Sequence, residues 1–137
     1  MGIKIKDKYG VNEIKLNNDS TSLEIWFNKM INKTEDELEI SDLLRMIRQN
    51  LFMDLALNLS IEMLKQNPFI GEYYEGELIN HLLRIDVNLI IRYKDDIKQI
   101  LSDAQINICK IVWESEDDKD EFNKNLQALC KIIKLDI

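Results

Sequence analysis

Apolar residues recur every three or four positions along most of this chain, the spacing that gathers them on one face of a helix. Thr21 and Glu24 stand at capping-box spacing, and SLEIWFNKMI follows with Leu23, Trp26, Phe27, Met30 and Ile31 on one side. Thr34 and Glu37 repeat the box over a short turn ending near Leu38. Ser41 is placed to cap the next helix, with Asp42 in the first turn, where the dipole favours a carboxylate. No Gly or Pro then intervenes before Asn67. About 25 residues at ~1.5 Å rise would give a helix of roughly 37 Å, long for a small domain, so a break near Gln49–Asn50 is expected. Residues 51–64 are apolar nearly all round, the mark of a central helix. Its polar positions, Asn50, Asp54, Asn58, Glu62 and Gln66, read as a solvated seam or as a polar groove.

Asn67-Pro68 stops that helix, because proline pushes its predecessor out of the α region. A helix over 75–84 follows, then one over 88–102 with Ile90, Tyr93, Ile97, Ile100 and Leu101 inward. AQINICKIVW has the β-branched content of a strand, yet Ala104, Ile108, Ile111 and Val112 fit a helical face; helix is expected for 104–113. Ser115 caps a last helix with Phe122, Leu126, Leu129, Cys130 and Ile133 as its buried stripe. Before all of these, IKIKDKYGVNEIKL alternates apolar and polar residues around Tyr9-Gly10, as a short hairpin or a loose arm over residues 1–19 would. The expected architecture is all-α: one domain over residues 1–137, a compact bundle of about six helices.

Composition agrees with a helical chain, with four glycines and one proline among 137 residues, enough for a self-sufficient core. The formal net charge of −7 disfavours a nucleic-acid partner and favours a basic protein. Cys109 and Cys130 sit in apolar segments and read as reduced core thiols; with one histidine they make no structural zinc site. MGIKIKDKYG lacks the apolar core of a secretory signal, and no segment is long and apolar enough to span a membrane, so a cytoplasmic location is expected. Phosphate-binding, dinucleotide-binding, zinc-protease and serine-hydrolase motifs are absent. Glu77 and His81 share a helix face, which reads as a surface ion pair sooner than as acid–base machinery. No enzyme and no cofactor are expected.

The stretch NPFIGEYYEGELI holds the single proline, Pro68, and two glycines, Gly71 and Gly76, around two tyrosines and three glutamates. Turn geometry accounts for Pro68 and the glycines but does not require Glu72, Tyr73, Tyr74 or Glu75, and loops on a rigid scaffold often carry binding. Glu114, Glu116, Asp117, Asp118, Asp120 and Glu121 form a second acidic group around the start of the last helix. It serves either as helix-start decoration or as a docking site for Lys and Arg of a partner.

Residues 29–83 resemble the immunity proteins of bacterial contact-dependent growth inhibition systems. The likeness rests on the order of elements: INKTEDELEISDL, then Ile47, Gln49 and Asn50, then LFMDLALNLSIEML, then Gly71, Glu72, Tyr74, Glu75, Gly76, Glu77 and Leu78. The N-terminal 20 residues and the region after Arg84 carry no visible match. The resemblance implies a small helical protein that binds and blocks the toxin domain delivered by a neighbouring cell, many such toxins being nucleases with basic surfaces. It also implies that Gln49, Asn50, Gly71, Tyr74 and Gly76 belong to the shared scaffold, to which Pro68 is added as a structural turn residue. Toxin contacts are then expected at Tyr73, Glu72, Glu75 and the acidic residues 114–121. A non-catalytic helical adaptor or regulatory binding module is the alternative.

Overall fold

The structure is a computed structural model that describes residues 2–134. It holds eight α-helices and two 3-10 turns, with no strand among the described residues. The backbone groups into two units, Met1–Asp42 and Leu43–Ile137.

In the first unit, α1 (Ile5–Tyr9) takes the place of the expected hairpin. Ile5 is fully buried, and its N–H donates to Lys33 O at 2.9 Å. Gly10 ends the helix in the left-handed region at φ 63°, which terminates α1 after little more than one turn. The chain is anchored again at Ile14, whose N–H and C=O each meet the Asn28 side-chain amide at 2.8 Å. Helix α2 (Ser22–Ile31) starts with both halves of the Thr21–Glu24 capping box in place. Thr34 and Glu37 form the second box, over a 3-10 turn at Glu35–Glu37.

Helix α3 (Ile40–Gln49) begins one residue before the expected cap, so Ser41 lies inside it. Asp42 does the reaching back instead. Its carboxylate accepts from Glu39 N–H at 3.0 Å, Trp26 Nε1–H at 2.9 Å and Lys33 Nζ at 2.8 Å. Burial pushes this carboxyl up, but those three donors outweigh burial and hold it below its ordinary range.

The second unit is built around α4 (Met53–Gln66), whose Leu55, Ala56, Leu57, Ser60, Ile61 and Leu64 are buried. The break before it falls at Asn50 and Phe52, both with positive φ. Asn50, Asp54, Asn58, Glu62 and Gln66 are all exposed, which is the solvated seam, while the buried Ser60 hydroxyl donates to Ala56 O at 2.6 Å. Helix α5 (Glu77–Leu82) and α7 (Lys94–Asn107) pack on α4, while α8 (Glu116–Lys134) packs on α5, α6 (Val87–Ile91) and α7. The helix expected over 88–102 is thus two, separated at Arg92–Tyr93. Helix α7 continues to Asn107, and a 3-10 turn, Ile108–Lys110, breaks the segment read as helix over 104–113. Val112, expected on an inner face, is 91% exposed. Neither cysteine is a core residue: Cys109 is exposed and Cys130 half-buried, and both thiols are free.

Candidate functional site

The segment between α4 and α5 closes on itself before it presents anything outward. Asn67 ends α4, and its side chain accepts from Phe69 N–H at 3.0 Å, turning the chain at Pro68. Gly76 N–H donates to Phe69 O at 2.7 Å, and Leu78 N–H to Ile70 O at 3.1 Å. Inside this closure Glu77, with 4% exposure, turns its carboxylate back onto the loop. One oxygen accepts from Glu72 N–H at 2.7 Å and from Tyr73 N–H at 2.9 Å. Two glycines make the geometry possible. An added Cβ at Gly71 would overlap Tyr74 O and Glu77, and one at Gly76 would overlap the Phe122 ring. Gly76 also has φ 84°, in the region L side chains rarely adopt.

This corrects the ion pair expected between Glu77 and His81. His81 is buried, with Nδ1 2.9 Å from Glu77 backbone O and Nε2 3.1 Å from Arg48 Nη1. Arginine can only donate, so Nε2 accepts and the imidazole is neutral with its proton on Nδ1. Burial pushes the His81 pKa down, and the positive charges of Arg48 and Arg84 add to that, against the opposing hydrogen bond to the Glu77 carbonyl.

The closed loop forms one wall of a cleft of about 620 Å³. The opposite wall comes from Val112, Trp113 and Glu114 and the first turns of α8. Ser115 starts that helix by accepting from Asp118 N–H at 3.1 Å. Phe69, Trp113 and Phe122 tie the walls together: Trp113 lies 6.1 Å from Phe69 at an interplanar angle of 76°, and 5.2 Å from Phe122 at 42°. Trp113 Nε1–H donates to Ile108 O at 3.2 Å, which fixes the half-buried indole.

Of the residues read as binding candidates, the fold gathers Glu72, Tyr73, Glu75, Glu114, Asp118 and Glu121 around this one cleft. Glu116, Asp117 and Asp120 are exposed on α8 but do not line it. Gln49 and Asn50 lie at the break between α3 and α4, away from the cleft lining. Tyr73 is 77% exposed; Tyr74, 45% exposed, accepts a hydrogen bond from Asn80 Nδ2 at 2.8 Å. Neither plugs the core where the chain turns; Phe69 does.

Five carboxylates line the cleft and no basic residue does. Among the described residues none of the five forms an ion pair. Their combined field is therefore uncompensated locally and attracts a positively charged partner, more strongly at low salt. Exposed Tyr73 and Val112 on the same cleft supply apolar area for contact. Nothing in the lining offers a nucleophile beside a base, and among the described residues no His, Cys, Asp or Glu cluster is placed to hold a metal ion. No described helix is long and apolar enough to cross a membrane.

Phe69, Val112, Trp113, Phe122 and Asn125 were not among the sequence candidates. The available signals were a tryptophan directly before an acidic run, and an asparagine beside the apolar stripe of α8, three residues after Phe122.

A protein-family model described as CDI immunity proteins, where CDI is contact-dependent growth inhibition, matches residues 7–100. The match extends the likeness on both sides of residues 29–83, into the N-terminal region and through α6 into α7. It takes in the loop wall of the cleft, whereas the wall built by residues 112–125 lies beyond it. No curated protein sequence matches the chain. With more than half of its length matched, the chain belongs to the family of CDI immunity proteins.

Proposed function

We propose that this protein neutralises a cognate CDI toxin domain by binding it, without catalysis, at the cleft between the 71–76 loop and the start of α8. The toxin surface that meets the cleft is basic, as that of a nuclease would be, and the complex forms in the cytoplasm. One observation carries the reading: five carboxylates without ion-pair partners among the described residues line a cleft that also exposes Tyr73 and Val112. Electrostatic attraction of this kind speeds association and discriminates against acidic partners. Exposed aromatic and apolar groups supply the desolvated contacts that slow dissociation.

The test is co-expression with the toxin domain encoded beside this chain. The expected result is a 1:1 complex that co-purifies, together with restored growth of toxin-expressing cells. Failure of the neighbouring toxin to co-purify, with no growth protection, would leave a helical adaptor as the better description.

A further inference from the structure

The cleft has a polar group at its α8 wall that the protein itself leaves unused. Asn125 is 8% exposed and lines the cleft, yet among the described residues nothing hydrogen-bonds its side-chain amide. No buried side-chain polar atom among the described residues lacks a partner, so the Asn125 amide is open to the cleft, where a ligand can reach both its acceptor and its donors. Trp113 lines the same cleft, and its indole N–H is already committed to Ile108 O. The indole can therefore offer a π face to a ligand but no donor. Glu114, Asp118 and Glu121 lie on the same wall, with Glu72 and Glu75 on the other.

We infer that this cleft is a receptor for an arginine side chain carried on a segment of the toxin. The inference rests on the toxin-binding reading above for the source of the arginine, but not for the chemistry of the receptor. A guanidinium is planar, carries five donors and is weakly hydrated, so it can lie on an aromatic face while its edges reach carboxylates. The Asn125 carbonyl accepts one further N–H, and its NH₂ donates to a backbone carbonyl of the incoming segment. A lysine ammonium would satisfy the charge but is compact and strongly hydrated, and it gains less from the indole. The cleft volume of about 620 Å³ leaves room for the backbone on either side of that residue.

The test uses ¹⁵N-labelled full-length protein titrated with N-acetyl-arginine methylamide, its lysine counterpart and its neutral citrulline counterpart. The Trp113 indole and Asn125 amide resonances should move with arginine. Apparent affinity should be about fivefold or more above that for lysine, and citrulline should leave both unmoved. Asn125→Leu and Trp113→Leu should each remove the response, with the remaining spectrum reporting that the variants are folded. Equal responses to arginine and lysine, or shifts confined to residues away from the cleft, would overturn the inference. A parallel capture of the co-expressed toxin separates the two claims. Toxin captured without any arginine response ends the arginine receptor and leaves the function. Arginine response without toxin capture ends the function and leaves the receptor.

Discussion

Truncating Glu77 to alanine removes the group that holds the loop wall of the cleft. Its carboxylate accepts the Glu72 and Tyr73 amides at 2.7 and 2.9 Å, and the side chain is buried against Gly71. A hydrogen bond to a charged acceptor contributes about 1.5–3 kcal/mol. Both amides share one oxygen and sit in a loop that water reaches once the side chain is gone, so the lower end applies. The expected loss is about 2–3 kcal/mol in total. For a chain of this size that lowers Tm by roughly 6–12 °C. Glu77→Gln keeps an acceptor oxygen and should lose only about 1 kcal/mol. The specific assay is amide hydrogen exchange under native conditions. Glu72 and Tyr73 should exchange at least about tenfold faster in Glu77→Ala, while amides in α4 and α8 change only as global stability does. A lowered Tm with unchanged exchange at Glu72 and Tyr73 would refute the reasoning, because the loop would then be held by something other than Glu77.

Gly76→Ala should cost about 2–4 kcal/mol, from left-handed backbone and overlap with the Phe122 ring. Urea denaturation measures it, and a loss under about 1 kcal/mol would mean that the loop and α8 shift apart freely. His81 titrates below its ordinary 6.5 when folded, so the unfolded chain takes up its proton first. Its contribution is therefore flat above pH 6.5 and turns destabilising as pH falls below it. His81→Gln should flatten that part of the stability–pH curve measured by urea unfolding; identical slopes for both proteins would contradict the neutral, arginine-facing imidazole.

Helix starts were readable at Thr21, Thr34 and Ser115, where the signal is local, though not at Asp86, whose side chain caps α6 by accepting from Asn88 N–H. Thr21 and Thr34 do what their spacing to Glu24 and Glu37 suggests, and Ser115 caps α8 by accepting from Asp118 N–H. Interruptions were less readable. Ile90, Tyr93 and Ile97 keep helical spacing across the break between α6 and α7, so periodicity alone runs straight through it. The alternation in IKIKDKY fits a strand as well as a short helix; the chain forms α1, with Ile5 buried. Val112 and Cys109 read as inward because they are apolar, but the 3-10 turn after α7 leaves both exposed. For the cleft, the chemistry was visible and the convergence was not. Glu72, Tyr73 and Glu75 announce themselves as loop residues not needed for turning, and Glu114 to Glu121 as an acidic run. About forty residues separate the two groups, and only the packing of α5 on α8 brings them to one surface. Asn125 carried the faintest signal, since a polar residue beside an apolar stripe ordinarily finds a partner inside the fold.

The most direct measurement is the affinity of the cognate toxin for Glu114→Lys/Asp118→Lys/Glu121→Lys, set against a control with the same net charge, Asp19→Lys/Glu39→Lys/Glu62→Lys. The three control carboxylates are exposed and none lines the cleft. If the cleft receives the toxin, the first variant binds at least about 100-fold more weakly than wild type, whereas the control loses no more than about tenfold, mainly in association rate and mainly at low salt. Equal losses in the two variants would mean that net charge alone draws the toxin in, and that it docks elsewhere.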